Sequence, residues 1–214
     1  MLLAPDLKAL IDSAKTERAV VEWLKLKENA WILPHALARS PLGIYAIPEF
    51  PFGTDYRADF VVIGPYSGAF YVHFIEMEPP NEQLFTQKGN PAERLAGALT
   101  QVRAWKAYVE NNRGVVLREL SKFAEKEELL WGRKSGVSCS AGFPLHHPDV
   151  CVTWQYHIVI GRRAGLTDRQ LAMKAAFFNQ EEVEVATYDR LIEAAKKVDA
   201  SNEFQASIQK PETT

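Results

Sequence analysis

Apolar residues recur at every third or fourth position near the start of the chain and at every second position in its middle. Leu7, Leu10 and Ile11 form one short helical face within residues 5–30, and Val20, Val21, Leu24 and Ala30 form another. Ser13 and Thr16 are the candidate caps of the second helix. Pro34, Pro41, Pro48 and Pro51 then exclude a long helix, and 42-LGIYAI-47 between them reads as a short strand. The runs 58-ADFVVIG-64 and 70-FYVHFIEME-78 are rich in β-branched and aromatic residues and flank the turn signal PYSG, which predicts a hairpin.

Helical period returns at Asn90 and Pro91, placed as N-cap and first residue of a helix. Its buried stripe is Leu95, Leu99, Val102 and Val109, and Asn111–Gly114 ends it. Residues 118–135 read as a charged, solvated helical arm, and 135–149 as a Gly/Ser/Cys-rich loop. Then come a strand, 152-VTWQYHIVIG-161, a capped helix over 167–179, a short strand over 183–188 and a helix from Asp189 to Val198. The polar tail from about Asn202 is expected to be disordered. This order predicts an α/β fold, a mixed central sheet with flanking helices. It is read as a single domain over 1–200, with N-terminal helices in 1–34, a core in 42–198 and a tail over 201–214.

Composition narrows the class without choosing within it. The 214 residues are 47% hydrophobic and 24% charged, as in an ordinary globular protein long enough for one well-buried domain. A net charge of −2 means that any nucleic-acid contact must come from local patches. The N-terminus lacks the uninterrupted apolar core of a signal peptide, and no apolar run is long enough to span a bilayer. Two cysteines, Cys139 and Cys151, make no disulfide framework. A cytoplasmic protein is the simplest expectation.

The chemistry collects at the hairpin's end. If the loop is Tyr66–Ala69, Asp59 lies directly across from Glu76, and opposed residues of an antiparallel pair share a face. Alternation puts Glu78 on the face of Glu76, whereas a one-residue slip would move Asp59 to the face of Ile75. Three carboxylates at a core strand's end repel one another and cost desolvation energy unless a cation sits among them. Oxygen ligands of this kind suit Mg²⁺ or Mn²⁺. The alternative is a solvated strand end whose acids pair with nearby Arg or Lys.

These residues resemble the Asp…Glu-x-Lys core of the PD-(D/E)XK nuclease superfamily and, more closely, the Shedu anti-phage defence nuclease domain. The resemblance rests on DFVVIGP, on FIEMEPP followed by LFTQKGNPAERLAGALTQVRAW, on YHIVIGRR and on VEVATYDRLI, and covers roughly residues 17–198. It implies a restriction-endonuclease-like core in which Asp59, Glu76 and the backbone carbonyl of Met77 bind the catalytic Mg²⁺ or Mn²⁺. It implies that Gln101 is the helix glutamine supporting the site or the nucleic acid. It also matches Glu22, with Glu17 and Glu28 as competitors, to an acid that many of these nucleases direct at the metal.

Where the family has its lysine, this chain has Glu78, which can hold a second metal or accept a proton but supplies no positive charge. Lys88 and Lys106 are the candidates to take the lysine's place, and Lys106 lies off Gln101's side of the helix.

Arg162, Arg163 and Arg169, with Lys174, face Asp168 alone in 162-RRAGLTDRQLAMK-174, and they stand where a strand gives way to a helix, a place suited to a phosphate backbone. Cys139, His146, His147 and Cys151 have the ligand types of zinc but not the spacing of a known zinc motif. His73 and His157 are read as packed strand residues. Phosphate-binding glycine loops, nucleophile elbows and HExxH are absent. The expected function is a Mg²⁺-dependent DNA endonuclease of an anti-phage defence system, working as a homo-oligomer. The alternative is a catalytically inactive nuclease-fold module that binds nucleic-acid ends or a partner protein.

Overall fold

The computed structural model describes residues 2–38, 45–66, 68–126, 130, 138–139 and 142–208. Helices α1 (Leu3–Ser13), α2 (Arg18–Leu24) and α3 (Lys27–Ala30) lead through a π-helical turn, Pro34–Ala38, to strands β1 (Tyr45–Phe52), β2 (Tyr56–Tyr66) and β3 (Ala69–Met77). Helix α4 (Glu93–Lys126), β4 (Cys151–Val159), α5 (Asp168–Glu181), β5 (Val183–Ala186) and α6 (Tyr188–Ile208) follow. The strands form one sheet in the order β1-β2-β3-β4-β5. The first two pairings are antiparallel and the last two parallel. Tight turns can make the first kind of pairing, while the second needs the long crossovers that α4 and α5 supply.

Alternation along the strands divides the core between two faces. Val61, Ile63, Val72 and Phe74 join the α4 stripe of Leu95, Ala98, Leu99, Val102, Trp105 and Val109. Val62, Ile75 and Met77 meet α1, α2 and α6 through Leu7, Val20, Leu24, Leu191 and Ala195. Trp105, fully buried, packs edge-on against Phe52, and Tyr108 contacts Phe52 and Tyr56, so both are core residues.

Several boundaries differ from expectation. Neither Ser13 nor Thr16 caps α2; Glu17 holds the N-cap position without a side-chain bond. Asn90 and Pro91 precede α4, because Thr86 N–H donates to the Asn90 carbonyl at 2.8 Å and Pro91 bridges to Phe85, so the helix starts at Glu93. The expected break at Asn111–Gly114 is a kink at Asn112 (φ −127°, ψ 25°), after which the helix resumes. Its second half is no solvated arm, since Val116, Leu117, Leu120 and Ala124 are buried in the core. Helix α6 runs on through the tail's first residues to Ile208. Residues 42–44 of the expected first strand, most of 127–137 and the last six residues lie outside the described residues.

One irregularity positions the site. In β1, Tyr45 and Ile47 share the α4 face with Phe50 and Phe52; in β2, Val61 and Ile63 share it with Ala58. The alternation therefore breaks in both strands, at Glu49 and Asp59, while the β1–β2 register holds on either side. Glu49 takes φ +47°, a left-handed conformation uncommon away from glycine. Side-chain parity changes here without an inserted residue, and Asp59 sits at the bend.

Candidate active site

The hairpin has the expected register, but pairing of β2 with β3 stops at Phe60–Ile75, one step short of Asp59. Beyond that point β2 stays with β1 and leaves β3. The Asp59 side chain fills the gap, its Oδ2 accepting the Met77 backbone N–H at 2.7 Å. On the other side β3 is carried on by β4, where Glu78 N–H donates to the Val159 carbonyl at 2.8 Å. The Tyr188 hydroxyl, at the start of α6, donates to the Glu78 carbonyl at 2.8 Å. Met77 and Glu78 are thus pinned from both sides while Asp59 and Glu76 meet at the open fork.

Helix α4 supplies the roof. Gln101 hydrogen-bonds the Glu76 carboxyl group, and Arg94, two turns earlier on the same helix face, lies 3.8 Å from Glu78 Oε2.

The electrostatics show the cost of this assembly. Burial, then the charges of Asp59 and Glu78, push Glu76 up to about 9, although the Gln101 bond acts the other way. Burial likewise raises Glu78 to about 7 against the opposing charge of Arg94. Asp59 is raised to about 6, mainly by burial, with the Met77 bond opposing it. Of the two costs expected, repulsion and desolvation, desolvation is the larger at all three groups. A carboxylic acid that keeps its proton to such a pH in metal-free protein yields it to a cation, so any cation bound here would release protons.

Two hard carboxylates, Asp59 and Glu76, fit a Mg²⁺-type ion, which commonly takes one or two protein carboxylates and keeps several waters. Among the described residues no three Asp, Glu, His or Cys side chains form a ready-made metal cluster. Glu78 is engaged with Arg94 rather than completing a three-carboxylate cage. Glu22 is exposed and 2.8 Å from Lys25, whereas the half-buried Glu17 is the acid whose charge bears on Asp59, Glu76 and Glu78. Glu17 stands at the N-cap of α2, not on its exposed flank, and only the packing of α2 under the sheet distinguishes the two.

Lys106 is occupied elsewhere, with Nζ 2.6 Å from the Glu181 carbonyl and 3.0 Å from Glu182 Oε2. Arg162 is held between Asp12 of α1 and Asp189 of α6, while Arg163 and Arg169 are exposed.

His73 and His157 lie on the sheet's other face, with Nδ1 of one 2.9 Å from Nε2 of the other, and His157 Nδ1 is 3.2 Å from Glu184 Oε2. They are buried, as expected. His146 contacts Ser121 and His147 is beside Asp149, so the zinc-type residues do not gather around one point. No sequence signal marked Arg94 or Tyr188. Both belong to the site through the crossing of α4 and α6 at the end of β3.

What the fold and site define together is an α/β domain with a desolvated acidic centre at a forked strand end. A family model described as Shedu protein SduA, C-terminal, matches residues 16–192, and the chain belongs to that family. Membership implies a role in anti-phage defence. No curated protein matches the chain. Among the described residues no helix is long and apolar enough to cross a membrane.

Proposed function

We propose that this domain hydrolyses DNA phosphodiester bonds with Mg²⁺ or Mn²⁺, on a PD-(D/E)XK-like core. The observation that carries this reading is the meeting of Asp59, Glu76 and Gln101 at the β2–β3 fork, since half-buried adjacent acids cost desolvation and repulsion that a cation would offset. Asp59, Glu76 and the Met77 carbonyl would hold the cation, which would supply Lewis-acid stabilisation of the charge that develops on phosphorus-bound oxygens. Gln101 fixes the orientation of Glu76, and Tyr188 holds the Glu78 backbone. Glu78 would take one proton of the attacking water as its oxygen bonds to phosphorus, and the leaving sugar oxygen, as its bond breaks, would take a proton from solvent water. With its protonation poised near neutrality Glu78 suits a general base.

The test is plasmid cleavage in Mg²⁺ and in Mn²⁺ by wild type, Glu78→Gln and Glu78→Lys. Activity in the wild type and its loss in both variants, by about 100-fold, is the expected result. Activity raised in Glu78→Lys would show an idle acid in a vacated lysine position. The second reading, an inactive module that binds DNA ends or a partner, is favoured by one observation, the acid at position 78 where the family has its lysine. Folded wild type that binds DNA and cuts none would select it.

DNA contact is proposed through Arg163 and Arg169, the exposed members of the basic segment. Arg163→Ala and Arg169→Ala should each weaken DNA binding across sequences and reduce its salt dependence by about one counterion. Arg162→Ala should behave differently. Its guanidinium ties α1 to α6 through Asp12 and Asp189, so the variant should lose about 1 kcal/mol of stability in urea melts with little change in DNA affinity.

A further inference from the structure

We infer that Arg94 takes over the charge of the missing strand lysine, reaching the scissile phosphate from helix α4, with bare Gly97 giving the DNA backbone its path. This rests on the nuclease reading above and extends it to a residue that the strand motif does not contain. The spacing comes first. Glu76 and Glu78, two apart on the strand, are met by Gln101 and Arg94, seven apart on one face of α4. Arg94 therefore stands above the motif position where a lysine would project.

The charge balance comes second. Glu17, Asp59, Glu76, Glu78 and Glu82 bear on this end of the sheet, and Arg94 is the cation that opposes them at Glu78. A polyanion cannot approach five acids unless cations meet it. Arg94 is 60% exposed, and its contact with Glu78 at 3.8 Å is at the limit of an ion pair. Such a loose pair gives up little when the guanidinium turns to a phosphate, for which its fork of donors is better matched.

The third observation is space. Gly97 lies between Arg94 and Gln101 on the same face, and a Cβ there would meet nothing within 4 Å. Glycine in a helix interior is a cost that a nearby close approach of substrate would explain.

Two measurements test this. The first is cleavage by Arg94→Ala and by Arg94→Lys, in Mg²⁺. Arg94→Ala should lose about 100-fold in kcat/KM, as removal of a transition-state charge partner does. Arg94→Lys, which keeps a cation on the same helix face and leaves Glu78 in place, should retain most of the activity. The second is binding of a short duplex in EDTA by fluorescence anisotropy at several salt concentrations, which reports on Arg94 whether or not the protein cuts. Arg94→Ala should reduce the salt dependence by about one counterion, and Gly97→Leu should weaken binding at least tenfold without lowering the melting temperature.

Full cleavage by Arg94→Ala, or an unchanged salt dependence, would overturn the inference while leaving the nuclease reading intact. A wild type that cuts nothing would overturn the nuclease reading. Arg94 would then stand as a phosphate contact if the salt dependence drops, and would be ruled out if it does not.

Discussion

Asp59→Asn is expected to make the metal-free protein more stable and to abolish the proposed cleavage. The two effects share one cause. Asp59 and Glu76 are half-buried close to one another, and each carboxyl group is raised, Asp59 to about 6 and Glu76 to about 9. A carboxyl group whose pKa is raised by folding binds its proton more tightly in the native state than in the unfolded one. Its favourable contribution is complete below the unfolded pKa of about 4 and is lost as pH rises through the folded value. For this pair the loss spans roughly pH 4 to 9.

Asparagine can still accept the Met77 N–H through its amide oxygen, and it removes one of the repelling charges. In EDTA, urea melts at pH 8 should show the variant more stable than wild type by on the order of 1–2 kcal/mol, with the difference closing towards pH 4. Millimolar Mn²⁺ should raise the melting temperature of wild type by mass action and leave that of the variant unchanged. Cleavage should fall by at least about 100-fold. Wild type and variant with parallel stability profiles and the same response to Mn²⁺ would reduce the fork to a solvated strand end.

How far this site could be read from the sequence depends on which contacts are local. The hairpin was legible because alternation and a strong turn signal fix a register, which carries β2 to within one step of Asp59, while the fork that turns Asp59 onto Met77 was not. The stripe of α4 was legible for the same reason, with Leu95, Leu99, Val102 and Val109 at helical spacing. What could not be read is how elements distant in sequence close over the strand end. Glu17 and Glu22 are alike as letters, and only the seat of α2 sends one towards the site and the other to Lys25. The solvated-arm reading failed over its described helical part, 118–126, because charge on one side of a helix says little about the other. Leu120 and Ala124 are buried, on a stripe that their charged neighbours obscure. The bend at Glu49 has no sequence signature, since a left-handed glutamate is a consequence of β1 and β2 turning together.

Gly161→Ala should be the most damaging small substitution outside the acidic centre. Gly161 ends the β4 segment and joins three pieces of chain. Its N–H donates to the Pro79 carbonyl at 3.2 Å, and its carbonyl accepts the Tyr188 N–H at 3.0 Å. It holds φ +59°, and a Cβ would stand 2.4 Å from the Glu82 carbonyl oxygen and 2.6 Å from Leu84 Cδ1. The first of these contacts is backbone and cannot rotate away, so the segment from Pro79 to Leu84 has to shift. That segment follows Glu78 directly, and Tyr188 is the residue that pins Glu78, so the strain is delivered to the site.

The left-handed conformation costs alanine about 1–2 kcal/mol, and overpacking adds about as much again, giving roughly 3 kcal/mol in all. For a domain of this size that lowers the melting temperature by about 6–12 °C. Gly165 supplies the control, because it has φ +90° and open space around its missing Cβ. Gly165→Ala should therefore cost only the conformational part, about 1–2 kcal/mol. Equal losses in the two variants would mean that the loop yields freely to the Gly161 side chain. A larger loss at Gly161, with weaker Mn²⁺ stabilisation than wild type, would show that the clasp between β4 and the Pro79–Leu84 segment sets the geometry of Glu76 and Glu78.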